Sequence, residues 1–135
     1  MNRAVPVALT ESLLQVPLFE DLDEDEVQAV ADSMHETNVP AGSVVTAEGD
    51  PADGFFVIDR GEAEVTVHGQ WRGTMTAGDY FGEIALLTGS DRTATITATS
   101  DLHCYGMTPW DFRPLVESNS GIAWKLLTAM AEKLR

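Results

Sequence analysis

The chain has 135 residues, of which 44% are apolar and 22% are charged, a composition typical of one folded domain rather than of a disordered chain. Its 22 acidic and 8 basic residues give a net charge of −14. Phosphate backbones and anionic lipid surfaces repel a protein of this charge. Direct binding to nucleic acid or to a membrane is therefore excluded as the expected function.

The cysteine, histidine and hydropathy patterns predict a cytoplasmic protein without a metal. The single Cys104 cannot form an internal disulfide, which fits a reducing compartment. The first nine residues lack the continuous apolar core of a signal peptide, and no window of about 18 apolar residues could cross a bilayer. His35, His68 and His103 are too scattered to predict a metal site.

The first region, residues 10–36, has a helical pattern that Pro17 interrupts. Asp23 followed by Glu26 predicts a capping box at the start of a helix, with further acids in the first turn, where the helix dipole favours negative charge. A calcium loop is not predicted, because glycine and alternating oxygen ligands are missing. An apolar face then repeats at helical spacing through Val27, Val30, Ala31 and Met34.

The second region, residues 38–107, has the pattern of a β domain. Nine of the eleven glycines lie between Gly42 and Gly89 and separate short runs that alternate or are rich in β-branched residues. We predict an antiparallel β-roll, similar to a jelly roll, with about eight strands. The strand-like runs are Ser43–Ala47, Phe55–Asp59, Ala63–His68, Arg72–Met75, Thr93–Ala98 and Leu102–Met107.

The third region, residues 108–135, predicts two helices. Thr108 can cap the first, with Pro109 in its first turn, whereas Pro114 predicts a kink or a late start because it lacks an amide donor. A break is predicted at 118–121. The second helix carries an apolar stripe of Ile122, Leu126, Leu127, Met130 and Leu134. A stripe of this kind can contact a protein partner or a further domain.

The segment 78–96 carries the candidate chemistry. Helix-forming residues follow Gly82 inside the β region and predict a single helical turn, whose free amides would attract an anion. Arg92 follows Glu83 by nine residues, after a turn of small polar residues. A helical turn and an arginine that returns over it can bind one compact phosphate from two sides.

Glu83 narrows the class of ligand. A carboxylate beside a phosphate site repels the ligand unless it accepts a hydrogen bond from it, and an ionised glutamate can only accept. The expected ligand therefore carries a hydroxyl next to its phosphate, as a sugar phosphate does. A 3′,5′-cyclic nucleotide, with one free ribose hydroxyl at the 2′ position, matches one acid and one arginine.

These residues resemble the phosphate-binding cassette of cyclic-nucleotide-binding domains, as in regulatory subunits of cyclic-AMP-dependent protein kinase and bacterial catabolite activator proteins. The family pattern is Phe-Gly-Glu, a small apolar helix, and then Arg-(Ala/Ser/Thr)-Ala. The similarity extends over nearly the whole chain. The matching stretches are Phe81–Leu87, Arg92–Ile96, Pro17–Phe19, Glu48–Asp50, Phe56–Ile58 and Asp111–Phe112.

The resemblance implies that residues 1–135 form one cyclic-nucleotide-binding domain without catalytic residues, with its cassette at 81–94. The ligand contacts would be Phe81, Gly82, Glu83, Ile84, Ala85, Arg92, Thr93 and Ala94. Glu83 would accept from the 2′-hydroxyl and Arg92 would pair with the phosphate. The amides of Ala85 and Ala94, with the Thr93 hydroxyl, would complete the phosphate contacts.

The same resemblance implies that the base lies against apolar residues, for which Val65, Met75 and Ile96 are the candidates. Thr93 does not decide between cyclic AMP and cyclic GMP, because threonine at this place is compatible with both. Cyclic AMP is the expected ligand by analogy with bacterial domains of this type, and cyclic GMP is the alternative. Occupancy would be relayed through the C-terminal helices.

Three other functions are alternatives to cyclic-nucleotide binding. In a scaffold that has lost its ligand, Glu83 and Arg92 would form a structural ion pair. A metal-dependent β-roll enzyme needs clustered histidine and carboxylate ligands, which the spacing does not provide. A transcription factor needs a further DNA-binding helical unit and a basic surface.

Several side chains beside the motif carry expectations of their own. Asp91 stands where the family often has proline and could compete for the guanidinium of Arg92. Tyr80 either flanks the pocket or packs elsewhere. The three tryptophans, Trp71, Trp110 and Trp124, are predicted to pack in the interior.

Overall fold

The computed structural model describes residues 7–51 and 53–135; residues 1–6 and 52 of the predicted domain 1–135 lie outside this description. The helices are α1 (Val7–Leu14), α2 (Glu24–Asp32), α3 (Glu83–Thr88), α4 (Pro109–Ser118) and α5 (Ser120–Lys133). The strands are β1 (His35–Val39), β2 (Val44–Thr46), β3 (Phe55–Arg60), β4 (Ala63–Val67), β5 (Gln70–Met75), β6 (Tyr80–Phe81), β7 (Thr95–Ala98) and β8 (Leu102–Met107).

The strands form two four-stranded antiparallel sheets, in the orders β1-β8-β3-β6 and β2-β7-β4-β5. Residues of both sheets, among them Ile58, Ile96 and Cys104, share one buried cluster, so the sheets enclose an apolar interior between them. This is the predicted antiparallel β-roll with flanking helices, and the fold class is confirmed. Within the described ranges, no helix has the length and apolar character needed to cross a membrane.

The helices pack on the other face of the sheet that contains β3. Side chains alternate along a strand, so Phe55 and Val57 join the helical cluster while Ile58 joins the cluster between the sheets. Phe55 stacks on Phe112 of α4 with ring centroids 5.0 Å apart. β3 is therefore buried on both faces and connects the helices to the interior of the roll.

Two helix starts agree with the sequence patterns. Asp23 and Glu26 form the complete capping box at the start of α2, with reciprocal bonds of 2.8 and 3.0 Å. Thr108 caps α4, whose first residue is Pro109. The helix then runs through Pro114 to Ser118, so of the two predicted alternatives, a kink or a late start, the late start is wrong. Pro114 is exposed, so the backbone carbonyl that loses its donor does not have to be satisfied in the core.

Two strands were not predicted. β1 begins at His35, inside the region expected to be helical, because its residues pair with β8 from His35↔Gly106 to Val39↔Leu102. β6 is only two residues long and pairs Phe81 with Phe56 of β3. Both strands exist through partners that are distant in sequence, which a local pattern cannot show.

The expectation that the tryptophans pack in the interior is wrong. Trp71, Trp110 and Trp124 are exposed by 63%, 83% and 71%. Trp110 and Trp124 lie two residues from buried Phe112 and Ile122, about 200° around their helices and thus on the opposite side. Each helix therefore carries an exposed aromatic side chain, Trp110 on α4 and Trp124 on α5.

Candidate ligand-binding site

A cavity of about 170 Å³ lies between the β-roll and α3. The structure brings together around it every residue predicted for the ligand and for the base, and their role as ligand contacts stays a prediction. Two further residues line it, Thr46 of β2 and Tyr80 of β6. The predicted residues that line the cavity are Phe81, Gly82, Glu83, Ile84, Ala85, Arg92, Thr93, Ala94, Val65, Met75 and Ile96.

The predicted helical turn is α3, and Gly82 sets its start. Gly82 has φ = 99°, a backbone conformation that residues with a side chain rarely adopt. As the N-cap residue it has no side chain that could accept a hydrogen bond from the first amides of the helix. A Cβ atom on Gly82 would lie 2.5 Å from the carbonyl oxygen of Gly54 and 2.7 Å from Nη1 of Arg92. Only glycine therefore lets the chain pass this close to the arginine.

The guanidinium of Arg92 is buried and held from three directions, with its side chain 4% exposed. Nη1 donates to the carbonyl of Gly82 at 3.2 Å, and Nη2 donates to the carbonyl of Gly54 at 2.7 Å. Nη2 also donates to the Asp53 carboxylate at 2.6 Å. These contacts fix the plane of the guanidinium at the wall of the cavity.

One donor of this guanidinium remains. Among the described residues, the buried Nε of Arg92 has no hydrogen-bond partner. A buried polar group without a partner costs about 1–3 kcal/mol, and more if it is charged. Because Arg92 lines the cavity, an anionic oxygen entering the cavity could supply the acceptor that Nε lacks.

The carboxylate that competes for Arg92 is Asp53, whereas Asp91 is exposed. Asp53 lies 39 residues upstream, and no local motif connects it to the cassette. The backbone makes the link: Gly49 donates to the carbonyl of Arg92 at 2.9 Å, and Arg92 donates to the carbonyl of Asp50 at 2.8 Å. Residues 49–50 and 53–54 thus contact the arginine, and the sequence patterns did not predict this arrangement.

Glu83, the first residue of α3, is 5% exposed. Burial raises the pKa of the neighbouring Tyr80 phenol, and the negative charge of Glu83 raises it further. A carboxylate in this place gives the cavity an acceptor beside the basic group. The wall also contains Phe81, which stacks on Phe56 with centroids 5.2 Å apart and is both a core and a lining residue.

The rest of the lining is apolar and comes from the second sheet. Val65 of β4, Met75 of β5 and Ile96 of β7 face the cavity together. One compartment thus combines a buried cation, a carboxylate and an apolar wall, the three elements needed for a small molecule with an anionic group, a hydroxyl and a flat apolar ring.

The described residues offer neither a grouped set of metal ligands nor a reactive thiol. In the part of the chain that the structure describes, no three His, Cys, Asp or Glu side chains are grouped to hold a metal ion. Burial, and secondarily the charge of Asp59, raises the pKa of Cys104 to about 11, so this thiol is protonated at neutral pH and unreactive as a nucleophile.

The fold and the cavity define a β-roll domain whose cavity is lined by a buried arginine and a buried glutamate. The family of the cyclic nucleotide-binding domain matches residues 36–119. The chain belongs to this family, as the resemblance of the cassette predicted. Domains of the family are regulatory modules without catalysis.

Three solved structures show the likeness over most of the chain. Cyclic-AMP-bound PfPKA-R is 31% identical to this chain, with a TM-score of 0.78. The match covers 81% of this chain and 39% of PfPKA-R. PKAR CBD2 with bound Sp-2Cl-cAMPS is 28% identical with a TM-score of 0.82, over 93% of this chain and 86% of that one. The Thermus thermophilus catabolite activator protein is 25% identical with a TM-score of 0.78, over 88% of this chain and 58% of that one.

The coverage shows what the chain shares with these proteins. It spans 39% of PfPKA-R and 58% of the Thermus protein, and thus corresponds to one part of each.

Proposed function

We propose that this chain binds a 3′,5′-cyclic nucleotide, cyclic AMP in preference to cyclic GMP, in the cavity between the roll and α3, and that it acts as a non-catalytic sensor. The observation that carries the proposal is the buried guanidinium of Arg92, which is fixed by three contacts and keeps a buried Nε donor without a partner among the described residues. Two of the similar structures hold cyclic AMP or the analogue Sp-2Cl-cAMPS, which supports this class of ligand.

In this proposal three sets of polar groups bind the phosphate and the ribose hydroxyl. Arg92 pairs with the cyclic phosphate, and the amides of Ala85 and Ala94 with the Thr93 hydroxyl bind its remaining oxygens. Glu83 accepts a hydrogen bond from the ribose 2′-hydroxyl. The lining position of each of these residues supports the assignment.

The apolar contacts accommodate the rest of the nucleotide. Gly82 lets the ligand approach the backbone closely, while Phe81 and Ile84 border the sugar and phosphate. The base lies against Val65, Met75 and Ile96, which form the apolar wall. This wall carries no group that distinguishes adenine from guanine, so the preference for cyclic AMP rests on the similar structures.

Calorimetric titration of the purified chain with cyclic AMP and with cyclic GMP tests the proposal. We expect saturable binding of one nucleotide per chain, tighter for cyclic AMP. AMP is the matched control ligand, because its phosphate carries a second charge and is not closed into the ring. No heat and no thermal shift with either cyclic nucleotide at about millimolar concentration, a range that detects even weak ligands, would favour the ligand-free scaffold instead.

We further propose that the C-terminal helices relay occupancy. α3 contacts α4, and Leu86 of α3 packs against the helical cluster that contains Phe112. A ligand that tightens α3 therefore acts on α4 and α5. The exposed Trp110 and Trp124 supply the apolar surface on which a protein partner or a further domain would sense the change.

Amide hydrogen exchange with and without saturating cyclic AMP tests this relay. We expect changed exchange rates in α4 and α5 in addition to protection of the cassette 81–94. The strand β1, on the opposite edge of its sheet from β6, is the internal control. Exchange that changes in the cassette but not in residues 108–135 would contradict the relay while leaving nucleotide binding intact.

The cellular setting belongs to the same proposal. We propose a cytoplasmic protein without direct contact to nucleic acid or membranes, since the net charge of −14 opposes both. That residues 1–135 form a single cyclic-nucleotide-binding domain likewise stays a prediction.

A further inference from the structure

Glu48 contacts the tip of a hairpin that is distant from it in sequence. Its Oε1 accepts from the backbone N–H of His68 at 2.9 Å, and its Oε2 lies 3.1 Å from Nδ1 of the same residue. His68 and Gly69, with φ of 52° and 78°, form the two-residue turn between β4 and β5. The Glu48 side chain is 24% exposed and the His68 side chain 87% exposed, so this contact lies at the protein surface with the carboxylate as its more buried partner.

The backbone around Glu48 is fastened to the strand that leaves the cassette. The N–H of Glu48 donates to Oγ1 of Thr95 at 3.0 Å. The next two residues exchange backbone hydrogen bonds with Arg92, at 2.9 Å from Gly49 and 2.8 Å to Asp50. One short segment therefore contacts both the arginine and the hairpin tip.

The hairpin needs such an anchor because of its place in the sheet. In the order β2-β7-β4-β5, β5 is an edge strand that pairs only with β4. Val65 of β4 and Met75 of β5 nevertheless form part of the cavity wall. The position of this wall relative to Arg92 thus depends on the β4–β7 pairing and on the contact from Glu48.

We propose that Glu48 is a positioning residue that couples the apolar wall of the β4–β5 hairpin to the phosphate-binding arginine. The inference rests on the proposed nucleotide binding. In its absence the hairpin loses its contact to the segment 48–50, so the base meets a looser wall even when the phosphate is bound. Glu48 itself touches neither the phosphate nor the base in this scheme.

The substitution Glu48→Ala tests this role, because a positioning effect and a purely electrostatic effect change the nucleotide affinity in opposite directions. Removing a negative charge near an anion site strengthens binding of a nucleotide if Glu48 is only a bystander. A positioning role predicts the opposite: cyclic AMP binds about three- to tenfold more weakly, the range of indirect coupling effects.

Two variants serve as controls in the titration. Glu62→Ala removes the same charge from an exposed residue in the connection between β3 and β4, outside the cavity lining, and is expected to bind as the wild type does or slightly better. Glu48→Gln keeps an oxygen that can accept from the His68 N–H and is expected within about twofold of wild type. Binding by Glu48→Ala that equals or exceeds that of Glu62→Ala would overturn the proposal.

Amide exchange without nucleotide separates this proposal from nucleotide binding itself. We expect faster exchange at residues 66–71 in Glu48→Ala than in the wild type or Glu62→Ala. If the wild-type chain binds neither nucleotide but the hairpin still loosens, the proposed function fails while the anchoring by Glu48 stands. Unchanged exchange at 66–71 would overturn the anchoring, whatever the nucleotide affinity.

Discussion

Replacing Arg92 with alanine is expected to weaken binding of cyclic AMP by about 30-fold to several thousandfold, equivalent to about 2–5 kcal/mol. The loss is large because the guanidinium is buried and already fixed, and because no other basic side chain lines the cavity in the described part of the chain. Arg92→Lys is expected to recover only part of the affinity, since an ammonium group cannot keep the contacts to Gly54 and Gly82 and also present the Nε donor. Calorimetric titration with cyclic AMP measures all three proteins.

The control for this experiment is Arg72→Ala, which removes an exposed arginine of β5 outside the cavity lining and is expected to bind nearly as the wild type does. Thermal unfolding of each variant without nucleotide reports the loss of the structural contacts of Arg92 separately. An Arg92→Ala protein that is folded and still binds cyclic AMP within about twofold of wild type would contradict the assignment of the phosphate to this residue.

Replacing Glu83 with alanine is expected to weaken the binding of cyclic AMP by about 10- to 100-fold. This corresponds to about 1.5–3 kcal/mol, the usual contribution of a hydrogen bond to a charged group. The same role predicts a similar loss when the wild-type chain is titrated with 2′-deoxy cyclic AMP. The two changes remove the same hydrogen bond, so they should not add. Glu83→Ala should therefore bind cyclic AMP and its 2′-deoxy form about equally.

The control here is Asp91→Ala, which removes one negative charge beside Arg92 from an exposed side chain. We expect at most about a twofold change in affinity, because an exposed carboxylate is screened by solvent. A Glu83→Ala protein that still prefers cyclic AMP over the 2′-deoxy form by tenfold or more would show that another group accepts from the ribose hydroxyl.

The parts of the site that are contiguous in sequence could be predicted. The capping box of α2, the helical turn after Gly82 and the return of the chain to Arg92 depend on neighbours within about ten residues, which a sequence displays directly. The alternation at residues 64–68, in and just after β4, and the spacing of glycines likewise indicated a roll of short antiparallel strands. For these features, local backbone preference and the final packing favour the same structure.

Contacts between distant segments could not be predicted in this way. β1 forms because β8 offers it a hydrogen-bonding edge, although its residues followed a region with a helical pattern. Trp110 and Trp124 are apolar, but their helices turn Phe112 and Ile122 toward the core instead. In both cases the tertiary partner, and not the composition of the segment, decides which backbone or side chain is buried.

Two carboxylate contacts near the cavity belong to this second class. Asp53 accepts a hydrogen bond from Arg92, which is 39 residues away in sequence, and Glu48 accepts one from the His68 N–H, which is 20 residues away. Neither acid lies in the cassette, and neither has a local pattern that distinguishes it from the other acids of a chain with 22 of them. The sequence alone was enough to predict the fold and the helical turn that Arg92 follows, because both depend on local spacing. The orientation of the arginine and the anchoring of the hairpin wall depend on where the closed roll places two distant carboxylates, and only the tertiary structure decides that.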